Sequence, residues 1–130
     1  MKLKYLLDTH AFLWAATDPD RLGGKAARAI ATTAYPSLAI SDITLQEIGL
    51  LVHAGRITFK GSPASVLGLL LDFVTILPIS LEIALLAPTL PLEHGDQFDR
   101  IIAATAKVHR LPLVTKDANL TDCSVIAALW

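Results

Sequence analysis

The sequence predicts a three-layer α/β/α sandwich around a mostly parallel sheet of four or five strands. Short, branched, apolar segments alternate with segments of helical pattern, as crossover connections between parallel strands require. The strand segments lack the in-and-out alternation of a sheet with one wet face, so both faces should be covered. The chain has 130 residues, of which 53% are hydrophobic and 18% charged. That excludes disorder and suffices for one buried core, so residues 1–130 read as a single domain.

Residues 2–7 read as the first strand, ending at Asp8. A short apolar helix over 10–16 follows, stopped by the turn formers Asp18, Pro19 and Asp20. Gly23 and Gly24 precede an alanine-rich helix over 25–33, which Tyr35-Pro36 should end. Residues 37–40 form the second strand. Ser41-Asp42 supplies an N-cap for a helix over 43–53, closed by Gly55, and 56–60 is an extended connector. Ser62-Pro63 opens a helix over 64–72, with proline early, where its missing N–H costs nothing. The third strand spans 73–77, and a short helix over 80–87 runs into a loop over 88–95. Asp96 caps a helix over 97–109, with Pro112 just beyond its end. Residues 113–115 and 124–128 complete the sheet.

The bulk numbers narrow the function. Cys123 stands alone, which removes a disulfide framework or a cysteine metal cluster. The longest apolar stretch, 64–88, is interrupted by Asp72, Pro78 and Glu82, so no piece reaches the roughly 20 residues of a membrane span. The N-terminus has no signal-peptide pattern, and a cytoplasmic location is expected. The apolar excess points to an oligomer or an obligate partner. With 11 basic and 12 acidic residues the net charge is −1, so there is no global basic signature for nucleic acid. Neutralising four acids with metal would leave eight against 11 bases, so a polyanionic substrate stays open.

Four acids occupy informative positions. Asp8 ends the first strand and reads either as an N-cap or as part of a charged site at the carboxyl edge of the sheet. Glu47 shares a helical face with Ile43 and Leu51, so its carboxylate leaves from the apolar side or its margin. Buried there, it needs a partner, a proton or a metal; at the margin, it reaches water. Asp99 shares a face with Ile102, Ala103 and Ala106 in the first turn of its helix. Asp117 follows the fourth strand, as a turn residue or a fourth acid of the site. Asp96 is read as the cap of its helix. All four would converge on one edge of a parallel sheet, where like charges cannot stay unneutralised. Hard divalent cations suit such oxygen ligands, Mg²⁺ or Mn²⁺ better than zinc. The histidines form no zinc set: His53, His94 and His109 are scattered, and His10 has no spaced partner.

These residues form a recognisable order: Leu6-Leu7-Asp8-Thr9-His10, Ser41 through Glu47-Ile48, His94 through Arg100, and Leu113 through Asp117. The chain resembles the PIN-domain family, specifically its VapC-type toxins of toxin–antitoxin pairs, over nearly its whole length. The resemblance implies a metal-dependent ribonuclease, usually dimeric and inhibited by a cognate antitoxin. It places the acidic quartet on Asp8, Glu47, Asp99 and Asp117, holding one or two Mg²⁺ or Mn²⁺ ions for in-line phosphodiester hydrolysis. Gln97 stands where many members have proline, Gln46 where several have tryptophan, and Leu51 where the closest subgroup commonly has lysine. No acid is missing.

Thr9 and Thr115 are then candidate donors that orient the carboxylates, with Asp96 assisting through water or only capping. Lys25, Arg28, Arg56, Lys60 and Lys116 are candidate RNA contacts. Arg100 is another, although an i−4 pair with Asp96 is the preferred role. Two rivals remain. One is a catalytically silent PIN-fold binding protein. The other is an aspartyl-nucleophile phosphohydrolase, which would want a second Asp where this chain has His10.

Overall fold

In the computed structural model, residues 2–33, 37–93 and 96–130 are described. The expected helix stop at Tyr35-Pro36 and the loop residues His94-Gly95 lie outside them. Five strands, β1 (Tyr5–Leu7), β2 (Leu38–Ser41), β3 (Thr75–Leu77), β4 (Leu113–Val114) and β5 (Ala128–Leu129), form one sheet in the order β3-β2-β1-β4-β5. Every neighbouring pair is parallel. The chain builds outward from β1 to one side and then returns to build on the other. The order therefore reverses between β1 and β4, and open α/β sheets bind ligands at the carboxyl end of that crevice.

Successive residues of β1 feed opposite layers, as strand geometry demands. Leu6 joins a core with Ile83 of α5 (Leu81–Leu86), Ile102 and Ala103 of α6 (Gln97–His109), and Leu120 of α7 (Ala118–Thr121). Leu7 joins the other core, with Phe12 of α1 (Thr9–Thr17), Ala26 of α2 (Gly24–Thr32) and Ile48 of α3 (Ile43–His53). Leu67 and Leu70 of α4 (Pro63–Leu71) pack against this second core. Leu6 and Leu7 are essentially sealed, at 0% and 1% exposure. Each contributes about 1.5–3 kcal/mol of burial.

Register fixes the neighbours of Asp8. Leu7 pairs with Ile40 on one side and Val114 on the other, so Asp8 emerges beside Ser41 and Thr115.

The strands are shorter than expected. Residues 2–4 lie outside the strand, although the Lys4 N–H still donates to the Ser37 carbonyl at 2.8 Å. The expected fifth strand over 124–128 is corrected to Ala128–Leu129. Ser124 and Val125 are instead used in a turn, where the Ile126 N–H returns to the Cys123 carbonyl. Helix α7 is an unexpected element, too short to show a period. The expected Ser41-Asp42 cap divides its work. The Ser41 hydroxyl accepts from the Ile43 N–H at 3.2 Å, while Asp42 makes no cap and accepts from Ile79 N–H beyond β3.

Candidate functional site

Asp8, Glu47, Asp99 and Asp117, expected to converge, line one cavity of about 320 Å³ at the carboxyl edge of the sheet, together with Thr9, Asp96 and Lys116. Each reaches it for a local reason. Asp8 ends β1 and caps α1, its Oδ1 accepting from the Ala11 N–H at 2.8 Å. Its Oδ2 accepts from the Thr115 hydroxyl at 2.5 Å. The two sequence readings of Asp8, cap and site member, therefore hold together, one oxygen facing each donor.

Thr115 is fully buried behind the cavity, and its hydroxyl also accepts from the Asp117 N–H at 3.1 Å. Asp117 caps α7 through the Asn119 N–H at 2.8 Å. Thr115 thus ties the acid of one strand end to the backbone of the next. Asp96 caps α6 as expected, accepting from Phe98 and Asp99 N–H at 2.8 and 3.2 Å. That leaves Asp99 in the first turn on the face that Ile102, Ala103 and Ala106 bury.

Glu47 is half-buried on α3, and the Thr9 hydroxyl favours its charged form. Thr9 Oγ1 lies 3.0 Å from Thr44 Oγ1, a fully buried hydroxyl one turn before Glu47 on the same helix. Thr44 is a supporting residue the sequence reading passed over. The i−3 spacing from Glu47 was its available signal. His10 and Trp14 also line the cavity. They lie four apart on a helix that starts at the site, a spacing that was visible but reads as ordinary apolar patterning.

Arg100 is a correction. Its guanidinium donates to the carbonyls of Ala87, Leu90 and Leu92 at 3.3, 3.1 and 3.2 Å, rather than pairing with Asp96 or facing the cavity. A planar fork with five donors suits a run of loop carbonyls better than one exposed carboxylate does.

Three of the acids are held above the ordinary carboxylate range. Burial is the first cause for Asp8, partly offset by the Thr115 and Ala11 hydrogen bonds. Burial also raises Glu47, against the pull of Thr9. Asp99 is pushed from 3.8 to about 7, by burial and then by the charges of Asp96, Asp117, Glu47 and Asp8. Among the described residues no three His, Cys, Asp or Glu side chains are drawn closely enough together to hold an ion as they stand. The donor set nonetheless fits a hard divalent cation: it is carboxylate oxygen, and its mutual repulsion is what such a charge would relieve.

The raised acids predict how stability responds to pH. A carboxyl whose folded pKa exceeds its unfolded one keeps a proton that the unfolded chain has released. Stability therefore falls as pH rises between about 4 and 7. In chelator, the melting temperature should drop from about pH 5 to about pH 8, and the drop should be smaller in Asp99→Asn. Added Mn²⁺ should stabilise most at the alkaline end, where the carboxylates that would hold it are deprotonated. A chelated protein that melts higher at the alkaline end would contradict the shifts.

Comparison with known proteins agrees with this architecture. The PIN domain family model matches residues 5–125. The chain is 36% identical over 116 residues to Ribonuclease VapC22 of Mycobacterium tuberculosis, covering 88% of each chain. Its fold superposes on VapBC2 from Rickettsia felis, solved bound to a promoter DNA fragment, with a TM-score of 0.72 at 19% identity. That match covers 98% of this chain and 99% of the other. A toxin-antitoxin complex from Klebsiella pneumoniae matches with a TM-score of 0.68 at 24% identity, over 98% and 97% of the two chains. Among the described residues no helix is long and apolar enough to cross a membrane. With the profile spanning almost the whole chain, a close relative over most of its length and the same parallel sheet, the chain belongs to the PIN-domain family.

Proposed function

We propose that this chain is a Mg²⁺- or Mn²⁺-dependent endoribonuclease, a single-domain cytoplasmic toxin held inactive by a cognate antitoxin. The observation that carries the reading is the convergence of Asp8, Glu47, Asp99 and Asp117 on one cavity at the switch point of the sheet. The relative from M. tuberculosis is named a ribonuclease, and a chain of like fold sits in a toxin-antitoxin complex.

The four carboxylates are the proposed metal ligands. A divalent ion held there supplies a water acidic enough to attack at neutral pH and positive charge for the leaving oxygen. Thr115 orients Asp8, and Thr9, backed by Thr44, orients Glu47. Asp96 holds the first turn of α6 and so the position of Asp99. Lys116 reaches the cavity and remains a candidate phosphate contact; Arg100 does not. Exposed Leu69, Phe73, Leu81 and Leu85 offer apolar surface for a homodimer and for the antitoxin.

The rivals fare worse. A silent scaffold has no use for three carboxylates held at an electrostatic cost. An aspartyl-nucleophile enzyme would want a second Asp two residues after Asp8, and that position is His10, which lines the acid cavity.

The test is cleavage of single-stranded RNA by metal-stripped protein. Mg²⁺ or Mn²⁺ should restore activity to the parent chain and leave Asp8→Asn at least about 100-fold slower. Equal cleavage in chelator, or by Asp8→Asn, would sink the assignment.

A further inference from the structure

Beside the acid cavity lies a second of about 500 Å³, and the two share His10, Trp14 and Glu47. Arg21 and Arg56 line the second cavity, and no ion pair among the described residues occupies either guanidinium. Trp14 forms the partition. The Lys116 ammonium, on the acid side, is 5.9 Å from its ring centroid, and the Arg21 guanidinium, on the other, is 4.7 Å away. The His10 ring lies 5.5 Å from it.

This partition is braced. The Trp130 ring meets Trp14 edge-on at 5.8 Å. Trp130 in turn packs so closely on Gly23 that a Cβ there would fall 2.6 Å from its backbone carbonyl carbon. Glycine is required at this approach, since the atom to be displaced is backbone. An indole fixed in this way, with a cation on either side and a second cavity beyond, adds nothing to a carboxylate cluster. It does suit a strand that continues past the site.

We propose that the second cavity is the subsite for a nucleotide adjoining the cleaved phosphodiester of a single-stranded RNA. Arg21 and Arg56 take its phosphate, and the Trp14–His10 wall with Leu51 takes its base. The proposal rests on the ribonuclease reading of the acid cavity. The volume lies within the roughly 300–1,000 Å³ of small-ligand sites. An aromatic wall beside cations is how unpaired strands are held with little sequence preference, by stacking and backbone contact together. A guanidinium over an indole extends such a stack while keeping its donors for phosphate. Leu51 gives the cavity apolar lining. The positive charge that a lysine at 51 would bring to this wall comes instead from Arg21 and Arg56.

The test separates binding from turnover. Binding of a fluorescein-labelled 2′-O-methyl oligoribonucleotide is followed by anisotropy in chelator, with the full chain. Trp14→Ala should raise Kd roughly five- to a hundredfold, and Trp14→Phe should retain most of the affinity. Arg56→Ala, an exposed position that leaves folding intact, should raise Kd and reduce the salt slope by about one. In cleavage assays Trp14→Ala should raise KM with little change in kcat. Parental Kd and KM in both Trp14→Ala and Arg56→Ala would overturn the subsite. A parent chain that cleaves no RNA yet loses oligonucleotide binding in both variants would support the subsite while removing the nuclease reading.

Discussion

The Asp99→Asn protein is expected to lose at least about 100-fold in RNA cleavage and yet to melt higher than the parent when divalent ions are chelated at alkaline pH. The two effects have one cause. Asp99 is partly buried, and four other acids face it, which is why its pKa sits at about 7. Asparagine keeps the shape and removes the charge, so the repulsion disappears and with it the means of attracting a cation. Loss of a partner that merely orients a ligand already costs about 10–100-fold, and loss of the ligand should cost more. With saturating Mn²⁺ the order of stability should invert, because binding to the folded state stabilises the parent by mass action. Thermal melts with and without chelator, beside a cleavage assay, read both signs. A variant that melts below the parent in chelator would show that Asp99 is a structural carboxylate, and the site assignment would lose its centre.

Arg100→Met is expected to cost about 3 kcal/mol of stability, a fall of about 10 °C in melting temperature, without altering the kinetics of the folded protein. The guanidinium donates to three carbonyls in the segment between α5 and α6. Methionine retains the stem but removes all three charge-assisted bonds, leaving the Ala87 and Leu90 carbonyls only their backbone donors, the Leu90 and Leu92 N–H groups. At temperatures well below the melt, kcat/KM and its dependence on salt should match the parent. A phosphate contact would behave otherwise, weakening binding for all sequences and lowering the salt slope by about one. A salt slope reduced in this way, with stability intact, would return Arg100 to the RNA-contact set.

The contrast between Asp99 and Arg100 marks what was legible in the chain. Asp8 and Asp117 follow apolar strand segments, and Glu47 and Asp99 sit at helical spacings from buried residues, so local pattern was enough to bring them to one edge. Helices 43–53 and 97–109 were readable for the same reason, with their bounds set by Ile43, His53, Gln97 and His109. Arg100 depends on where the carbonyls of residues 87–92 pass in space, which no periodicity encodes. The Thr9–Thr44 contact depends on how α1 and α3 pack, and the Thr115–Asp8 bond on strand register. Helix α7 and the displaced β5 were missed because two to four residues carry too little pattern to outweigh a run of branched side chains. Trp14 was visible only as an apolar residue, since its cations come from Arg21 after the helix and Lys116 from the far end of the chain.

The hydrogen bond from Thr115 to Asp8 joins residues 107 positions apart. Between them the chain must complete β2 and β3 and then return to lay β4 against β1. Strand pairings at such separation form late, since the loop must close before any contact rewards it. Asp8 therefore lacks the hydroxyl that orients it, and the site lacks Asp117, until β4 has paired with β1. A chain short of β4 carries three of the four acids but not the strand that gathers them. The crossing at the centre of the sheet thus makes completion of the acid cavity depend on the pairing of β4 with β1.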